Sequence, residues 1–414
     1  MRTIEVLGDS IAKLFSGKRL LSFLVGLVVV FCLVYGWLHG FDRIGSLWGI
    51  DRFPFGDLLN LTGAGESMMH GHDPSVDNPY DPLHRPLNHP VFLKWLVGVL
   101  GLRIASTNFV GFLLIFLFFF GLLLALPPLS SWASWVLALT IFSPAVVLGL
   151  ERANHDLFVF FLICLSISLS AWPALASIVL LVAAFIKLFP VFSGLYLFRF
   201  KAYRTLLPCL FFACFLAYFI AIFSDLSRIG RVTGKSFGMM AYGVHTHAIA
   251  GTFHNYIPLI ALTIGCFLFC LPLARVEFEG GSRALDRALD CFRAGAAIYV
   301  GTFWLGNNYN YRFMFLLLAV PQLVGWLSNR QLRSMSLIAI STLVVSMWLP
   351  WVAMTGFGYP LSRVPAFLVD EISNWLLYLS LLCLMLRTWP RLEGIPLVRR
   401  IFSSLAGRHG FSAN

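Results

Sequence analysis

The sequence predicts an all-α polytopic membrane protein, and three observations lead there. Hydrophobic residues make up 59% of the 414 positions and charged residues only 12%, against about 25% charged in a soluble globular domain. Apolar runs of helix length recur along the chain, separated by short polar or proline-containing breaks. Lys and Arg gather in some of those breaks, and that asymmetry marks cytoplasmic loops. The formal net charge of +11 is accounted for in this way, and no nucleic-acid partner is expected, because no basic surface with interleaved aromatics is evident. The eight cysteines fall mostly within apolar runs and read as small buried hydrophobes, not as disulfides or a metal framework.

At the amino end, Lys13, Lys18 and Arg19 precede the apolar run 20–38. This superficially resembles a signal peptide, but there is no small-residue cleavage site, and the run is long enough to cross a hydrocarbon core of about 30 Å. It is read as a retained first helix with its amino end inside. Residues 41–106 then form a first outer loop. Within it lies the longest polar stretch of the chain, 55–90, holding Asp57, Glu66, Asp73, Asp77 and Asp81, five of the nineteen acidic residues, with His70, His72, His84 and His89. Two explanations compete: the solubility of an exposed loop, and a carboxylate-bearing site that roofs a lipid-facing cavity. The 13 residues VFLKWLVGVLGLR are too short for a span and are amphipathic, so a juxtamembrane helix on the outer surface is expected.

Segments 107–126 and 132–150 pair around LPPLSS, where two prolines break the helix, and return ERANHD (151–156) to the outside. Segment 155–171 goes in and 174–189 comes out, carrying Lys187 near its outer end. Pro190 breaks that helix, and 191–198 leads into a basic loop with Arg199, Lys201 and Arg204. Segment 206–223 reaches a second outer loop, 224–254, and 256–273 returns to a cytoplasmic loop with Arg275, Arg283, Arg287 and Arg293. Segments 295–305, 313–327 and 337–351 follow. They lead to a third outer loop, 352–373, with Arg363, Asp370 and Glu371, before 375–386 enters the cytoplasmic tail 387–414. The expectation is about twelve spans in one domain, residues 1–414. Several of them are too short for a perpendicular crossing of roughly 20 residues and are therefore broken or re-entrant.

On this topology Asp57, Glu66, Arg152, Asn154, Asp156, Lys187, His245, His247, Tyr311 and Arg312 all meet at the outer face. Ionisable groups at membrane depth are expensive and mark functional sites. Each also has a plainer reading: Arg152 and Lys187 snorkel, and the tyrosines belong to an interfacial belt. His245 and His247 are compatible with a divalent metal, although no third ligand is evident. No cofactor is required.

The ordered set Asp57, HGHDPSVDNPYDP, ERANHDLFVFF, AAFIKLFPVFSGLYLFRFKAYR and NYNYRFMFLLLAVP resembles the GT-C superfamily of integral membrane glycosyltransferases. It is most similar to glycosyltransferase family 87, which includes polyprenyl-phosphate-mannose-dependent mannosyltransferases. The run from Gly71 to Tyr80 is longer than that family's G-x-x-P-Y element, and Glu151-Arg152 stands where Gly-Gln is common. The resemblance implies a GT-C-like bundle with short juxtamembrane helices in the first outer loop. It further implies inverting transfer of a hexose, mannose by preference, from a polyprenyl-phosphate donor to a glycolipid or glycan acceptor, at the outer face of a bacterial cytoplasmic membrane. Asp57 would be the general base, with Arg312, Lys187 and Arg152 on the phosphate. Asn154, Tyr311, His245 and His247 would contact substrate, and Asp156 and Glu66 would serve as a supporting acid or position the acceptor. Arg312→Ala and Lys187→Ala are expected to weaken use of the donor while the protein stays folded. The alternatives are a transporter or flippase of a lipid-linked or anionic substrate, and a glycan ligase or acyltransferase using a histidine base from 245–254.

Overall fold

The computed structural model describes residues 55–200, 206–228, 237–238, 283–305, 308–355 and 363–388, with a few isolated positions elsewhere. Most of the amino-terminal run, most of the second outer loop with His245 and His247, most of segment 256–273 and the tail beyond 388 lie outside the described residues.

Among the described residues the chain is helical and has no strand; an isolated bridge joins Phe237 and Asn308. The polar stretch forms α1 (Gly56–Met69), and the amphipathic 13-mer forms α2 (Val91–Val99). Next come α3 (Thr107–Ala125), α4 (Ser131–Ile141), α5 (Pro144–Glu151), α6 (Asp156–Ser168) and α7 (Pro173–Ile186). A 3₁₀ helix, Phe189–Arg199, precedes α8 (Leu206–Ala221) and α9 (Phe223–Arg228). Then α10 (Arg283–Leu305) is followed by a second 3₁₀ stretch, Asn310–Leu318, and by α11 (Val320–Gly325), α12 (Arg333–Thr355) and α13 (Arg363–Arg387).

Contacts place the ends of these segments alternately at two poles. α3 starts where Thr107 and Thr62 share a 2.8 Å hydroxyl bond, and it ends where Cys291 Sγ donates to the Ala125 carbonyl at 3.5 Å. α4 and α5 return, so that the Phe55 N–H donates to the Glu151 carbonyl at 2.9 Å. α6 leaves and α7 comes back, bringing Lys187 onto Asp156. The first 3₁₀ helix carries Arg199 down to Asp290, close to where Arg287 Nη2 donates to Ser168 Oγ at 3.0 Å. α8 climbs until Tyr218 Oη donates to the Phe185 carbonyl at 3.0 Å. α10 climbs likewise, from Arg287 toward Asn308, whose Nδ2 donates to the Thr302 carbonyl at 2.7 Å. The Asn310–Leu318 and α11 pair descends until Trp326 meets Phe292 edge-on at 4.6 Å. α12 and α13 close the bundle, with Arg387 Nη1 donating to the Gln331 carbonyl at 2.8 Å. One pole carries Asp57, Asp156, Lys187 and Arg312; the other carries Arg199, Arg287, Arg293 and Arg387.

Among the described residues two stretches, Ile104–Ala125 and Leu368–Arg387, are long and apolar enough to cross a membrane, and up to four are if each bent pair counts as one span. The pairs α4–α5 and Asn310–Leu318 with Val320–Ser328 each bend by 56°. The first bend has a clear cause: Ser143 Oγ donates to the Thr140 carbonyl at 2.6 Å and caps α5, which opens with Pro144. Expected span 132–150 is therefore broken. On α3, Phe109, Phe112, Phe116 and Phe120 are exposed, while Leu114, Phe118, Leu122 and Ala125 are buried. A continuous exposed phenylalanine stripe at helical spacing suits hydrocarbon and not water.

Three expectations are corrected. Residues 283–294 are not a loop but the first turns of α10, because Asp290 and Arg293 find buried partners in Arg199 and in the Thr388 carbonyl, the latter at 2.6 Å. Arg363, Asp370 and Glu371 belong to α13 and not to a third outer loop; Asn374 Nδ2 donates to Asp370 Oδ1 at 3.1 Å one turn on. Segment 313–327 is not one straight span: its first part is the 3₁₀ helix Asn310–Leu318, which bends by 56° into Val320–Ser328.

Candidate functional site

The site is built where α1 starts. Gly56 opens that helix behind Phe55, which sits in the left-handed region at φ 58°, and the Asp57 N–H donates to the Arg152 carbonyl at 3.2 Å. On the other side of this junction Ala153, fully buried, is also left-handed at φ 43°. Such conformations cost an L-residue of order 1–3 kcal/mol and cluster at functional sites. Here they turn the chain sharply between α5 and α6, so that Arg152 and Asn154 both face Asp57.

Asn154 Nδ2 donates to Asp57 Oδ2 at 2.6 Å, while Asn154 Oδ1 accepts the Asp156 N–H at 2.9 Å and so starts α6. Two guanidinium groups, those of Arg85 and Arg152, each approach Asp57 Oδ1 to 3.6 Å. Arg85 is held by Asp81, with Nε to Oδ2 at 2.8 Å and Nη2 to Oδ1 at 3.0 Å, and it donates to the Gly56 carbonyl at 2.5 Å. Burial alone would raise the Asp81 carboxyl, but the hydrogen bonds and charge of Arg85, with Asn60 adding to them, outweigh it and hold the group below the usual carboxylate range.

Beside this lies a second carboxylate. Asp156 is fully buried, forms an ion pair with Lys187 at the C-terminal end of α7, and lies 3.9 Å from Arg312 Nε. Arg312 is oriented by Asn308, whose Oδ1 accepts from Nη1 at 2.6 Å, and its guanidinium lies 4.7 Å over the Phe189 ring. Tyr311 is buried and stacks on Tyr309 at 5.4 Å. His155 meets His89 edge-on at 4.4 Å. The His89 imidazole is pushed well below its usual range by burial first, and then by the charges of Lys187, Arg85 and Arg312.

The segment between α1 and α2 lies across this pole. Its backbone at Tyr80 and Asp81 approaches Gly63 so closely that an added Cβ would sit 2.8 Å from the Tyr80 carbonyl oxygen. Asn60 Nδ2 donates to the Arg85 carbonyl at 2.8 Å, and Ser67 Oγ donates to Asn78 Oδ1 at 2.7 Å.

Of the expected residues, Asp57, Arg152, Asn154, Asp156, Lys187 and Arg312 converge, with Tyr311 adjacent in the chain. Glu66 does not join them: nine residues further along α1, at 1.5 Å each, it stands about 13 Å away. His245 and His247 lie outside the described residues. Among the described residues no group of three or more His, Cys, Asp or Glu side chains is arranged to hold a metal. Three members were missed: Arg85, His89 and His155. Arg85 had a signal, since it is the only Lys or Arg among the acids of 55–90; nothing in the pattern separated His89 from its neighbouring histidines.

Chemically the pole offers two carboxylates, Asp57 and Asp156, a bank of four cations and the imidazoles of His89 and His155 in one place. It can accept a proton, hold an anion and hydrogen-bond to uncharged hydroxyls. No family model matches this chain, and no curated protein or solved structure matches it.

Proposed function

We propose that the protein is an inverting glycosyltransferase that moves a hexose, mannose by preference, from a polyprenyl-phosphate donor to a glycolipid or glycan acceptor at the outer face of the cytoplasmic membrane. One observation carries this reading: Asp57, held by Asn154, stands beside Arg152, Lys187 and Arg312 at one pole of an apolar helical bundle. A lipid-linked phosphate donor needs that combination, because its tail lies in hydrocarbon and its head group must meet cations and a base together.

In the reaction the acceptor hydroxyl oxygen attacks the anomeric carbon and Asp57 takes the hydroxyl proton. The bond between that carbon and the phosphate oxygen breaks, and the electron pair leaves with polyprenyl phosphate. Arg152 and Arg312 suit the phosphate oxygens through their forked donors, and Lys187 adds charge from behind. The resemblance to the GT-C superfamily and family 87 stands as a further reason for the reading.

The test is incubation of purified protein with a panel of polyprenyl-phosphate sugars, followed by detection of released polyprenyl phosphate. Asp57→Asn keeps the side-chain volume and the bond from Asn154 but removes the basicity, so transfer should fall at least about a hundred-fold with donor binding intact. Near-normal turnover in Asp57→Asn, together with loss in Asp156→Asn, would move the base to Asp156. A carrier is the second reading, because a buried Asp156–Lys187 pair inside a bundle also suits coupled transport. Substrate flux into liposomes without product formation would establish that instead.

A further inference from the structure

His155 is 5% exposed, yet neither of its ring nitrogens has a hydrogen-bond partner among the described residues. Buried polar atoms are nearly always satisfied, so such a pair of atoms calls for an explanation. The plain explanation, a structural histidine packed in a core, does not suit its surroundings. The residue before it, Asn154, binds Asp57, and the residue after it, Asp156, binds Lys187 and stands beside Arg312. His155 is therefore flanked in the chain by the residues that hold Asp57 and Lys187, it lies within reach of the charges of Lys187 and Arg312, and His89 packs edge-on against its ring at 4.4 Å.

On the reading that a sugar passes from a phosphate to a hydroxyl held by Asp57, the reacting carbon must sit between those two groups. The stretch 154–156, with His155 at its middle, joins the residues assigned to those two groups, Asp57 and Lys187. A neutral imidazole presents one donor and one acceptor, which is the complement of a sugar hydroxyl and poorly suited to a phosphate. We propose that His155 reads the ring hydroxyls of the transferred sugar and sets which hexose the enzyme accepts, with His89 as a positioning residue. This rests on the proposed function and adds to it the group that selects the sugar.

The experiment uses the full-length purified protein and two donors that differ only in one hydroxyl epimer, polyprenyl-phosphate-mannose and polyprenyl-phosphate-glucose, with kcat and KM measured for each. His155→Phe keeps a flat ring but removes both polar atoms; His155→Gln keeps a donor and an acceptor. Thermal unfolding of both variants accompanies the kinetics. The expected result is that His155→Phe narrows the wild-type preference between the epimers by at least about ten-fold, chiefly through the preferred donor, while His155→Gln retains most of it. Unchanged preference and donor KM in His155→Phe would overturn the assignment. So would an equal fall of kcat in both variants with the preference intact, which is the signature of a structural role, or a wild type that does not discriminate. A wild type that releases polyprenyl phosphate from no donor would overturn the glycosyltransferase reading and this assignment with it.

Discussion

Lys187 and Asp156 change what a single substitution at the candidate site means. From the sequence, Lys187 sits at a helix end where a phosphate could meet it, and Lys187→Ala should leave the fold intact. In the structure the lysine is 8% exposed and Asp156 is fully buried against it. Removing one partner of a buried pair strands the other charge and typically costs about 3–5 kcal/mol. Lys187→Ala should therefore unfold markedly earlier in thermal or denaturant titration, and Lys187→Met combined with Asp156→Leu should recover most of that loss. An unchanged midpoint in Lys187→Ala would mean that the pair is solvated and that the lysine is free to act on substrate alone. Arg312 differs, because Asn308 and the Phe189 ring share its surroundings. Arg312→Ala is thus the cleaner probe of donor binding, with an expected loss on the order of ten- to a hundred-fold in affinity.

The element packed against the site is the segment joining α1 to α2. It is tied down by Asp81 and Arg85, whose bonds reach the Gly56 carbonyl at the very start of α1 and the neighbourhood of Asp57. Because the Asp81 carboxyl is held below its ordinary value of 3.8, its contribution to folding is fully present above that value. It is lost as pH falls through the lower folded value. Amide exchange across residues 71–90 should accordingly be flat between neutral pH and about pH 5, after correction for intrinsic rates, and should rise below pH 3.8. Asp81→Asn should show the fast exchange at every pH. Equal protection in wild type and Asp81→Asn would assign the anchoring to Asn60, Ser67 and Asn78 instead. α2 belongs to the same pole: Lys94 bonds Asp73 at 2.5 Å, while Trp95 and Val99 are left exposed. That pattern suits a helix lying along a membrane surface.

For the whole molecule, the alternation of segments between two poles makes a prediction about sidedness. The pole with Asp57 is proposed to face outward and the arginine-rich pole inward, following the bias of Lys and Arg toward the cytoplasm. On a cysteine-free background, Ser75→Cys should react with an impermeant maleimide on intact cells. Ser328→Cys, also exposed, should react only after permeabilisation. Labelling of both from the same side would break the two-pole topology.

Composition by itself pointed to an apolar, helical chain suited to hydrocarbon, since the low charge and high apolar content depend on residue content and not on placement. Local chemistry likewise determined most helix positions from 107 to 223: prolines at 127, 128, 173 and 190 stop or start helices wherever they fall, because the missing N–H and the ring clash are local effects, whereas the break at Pro144 emerged only from the structure. Asp57, Arg152, Asn154, Asp156, Lys187 and Arg312 stood out for the same reason, as polar groups that a membrane tolerates only with partners. Only the tertiary structure decided who those partners are. Asp57 and Asn154 are 97 residues apart in sequence, and no local rule connects them. Lys187 faces Asp156 because α6 and α7 pack antiparallel. Arg283, Arg287 and Arg293 read as a loop until Arg199, Asp290, Ser168 and the Thr388 carbonyl supplied the contacts that let α10 begin there. Long-range pairing of charges is a property of how helices are arranged, and a buried charge is stable only after that arrangement has been made.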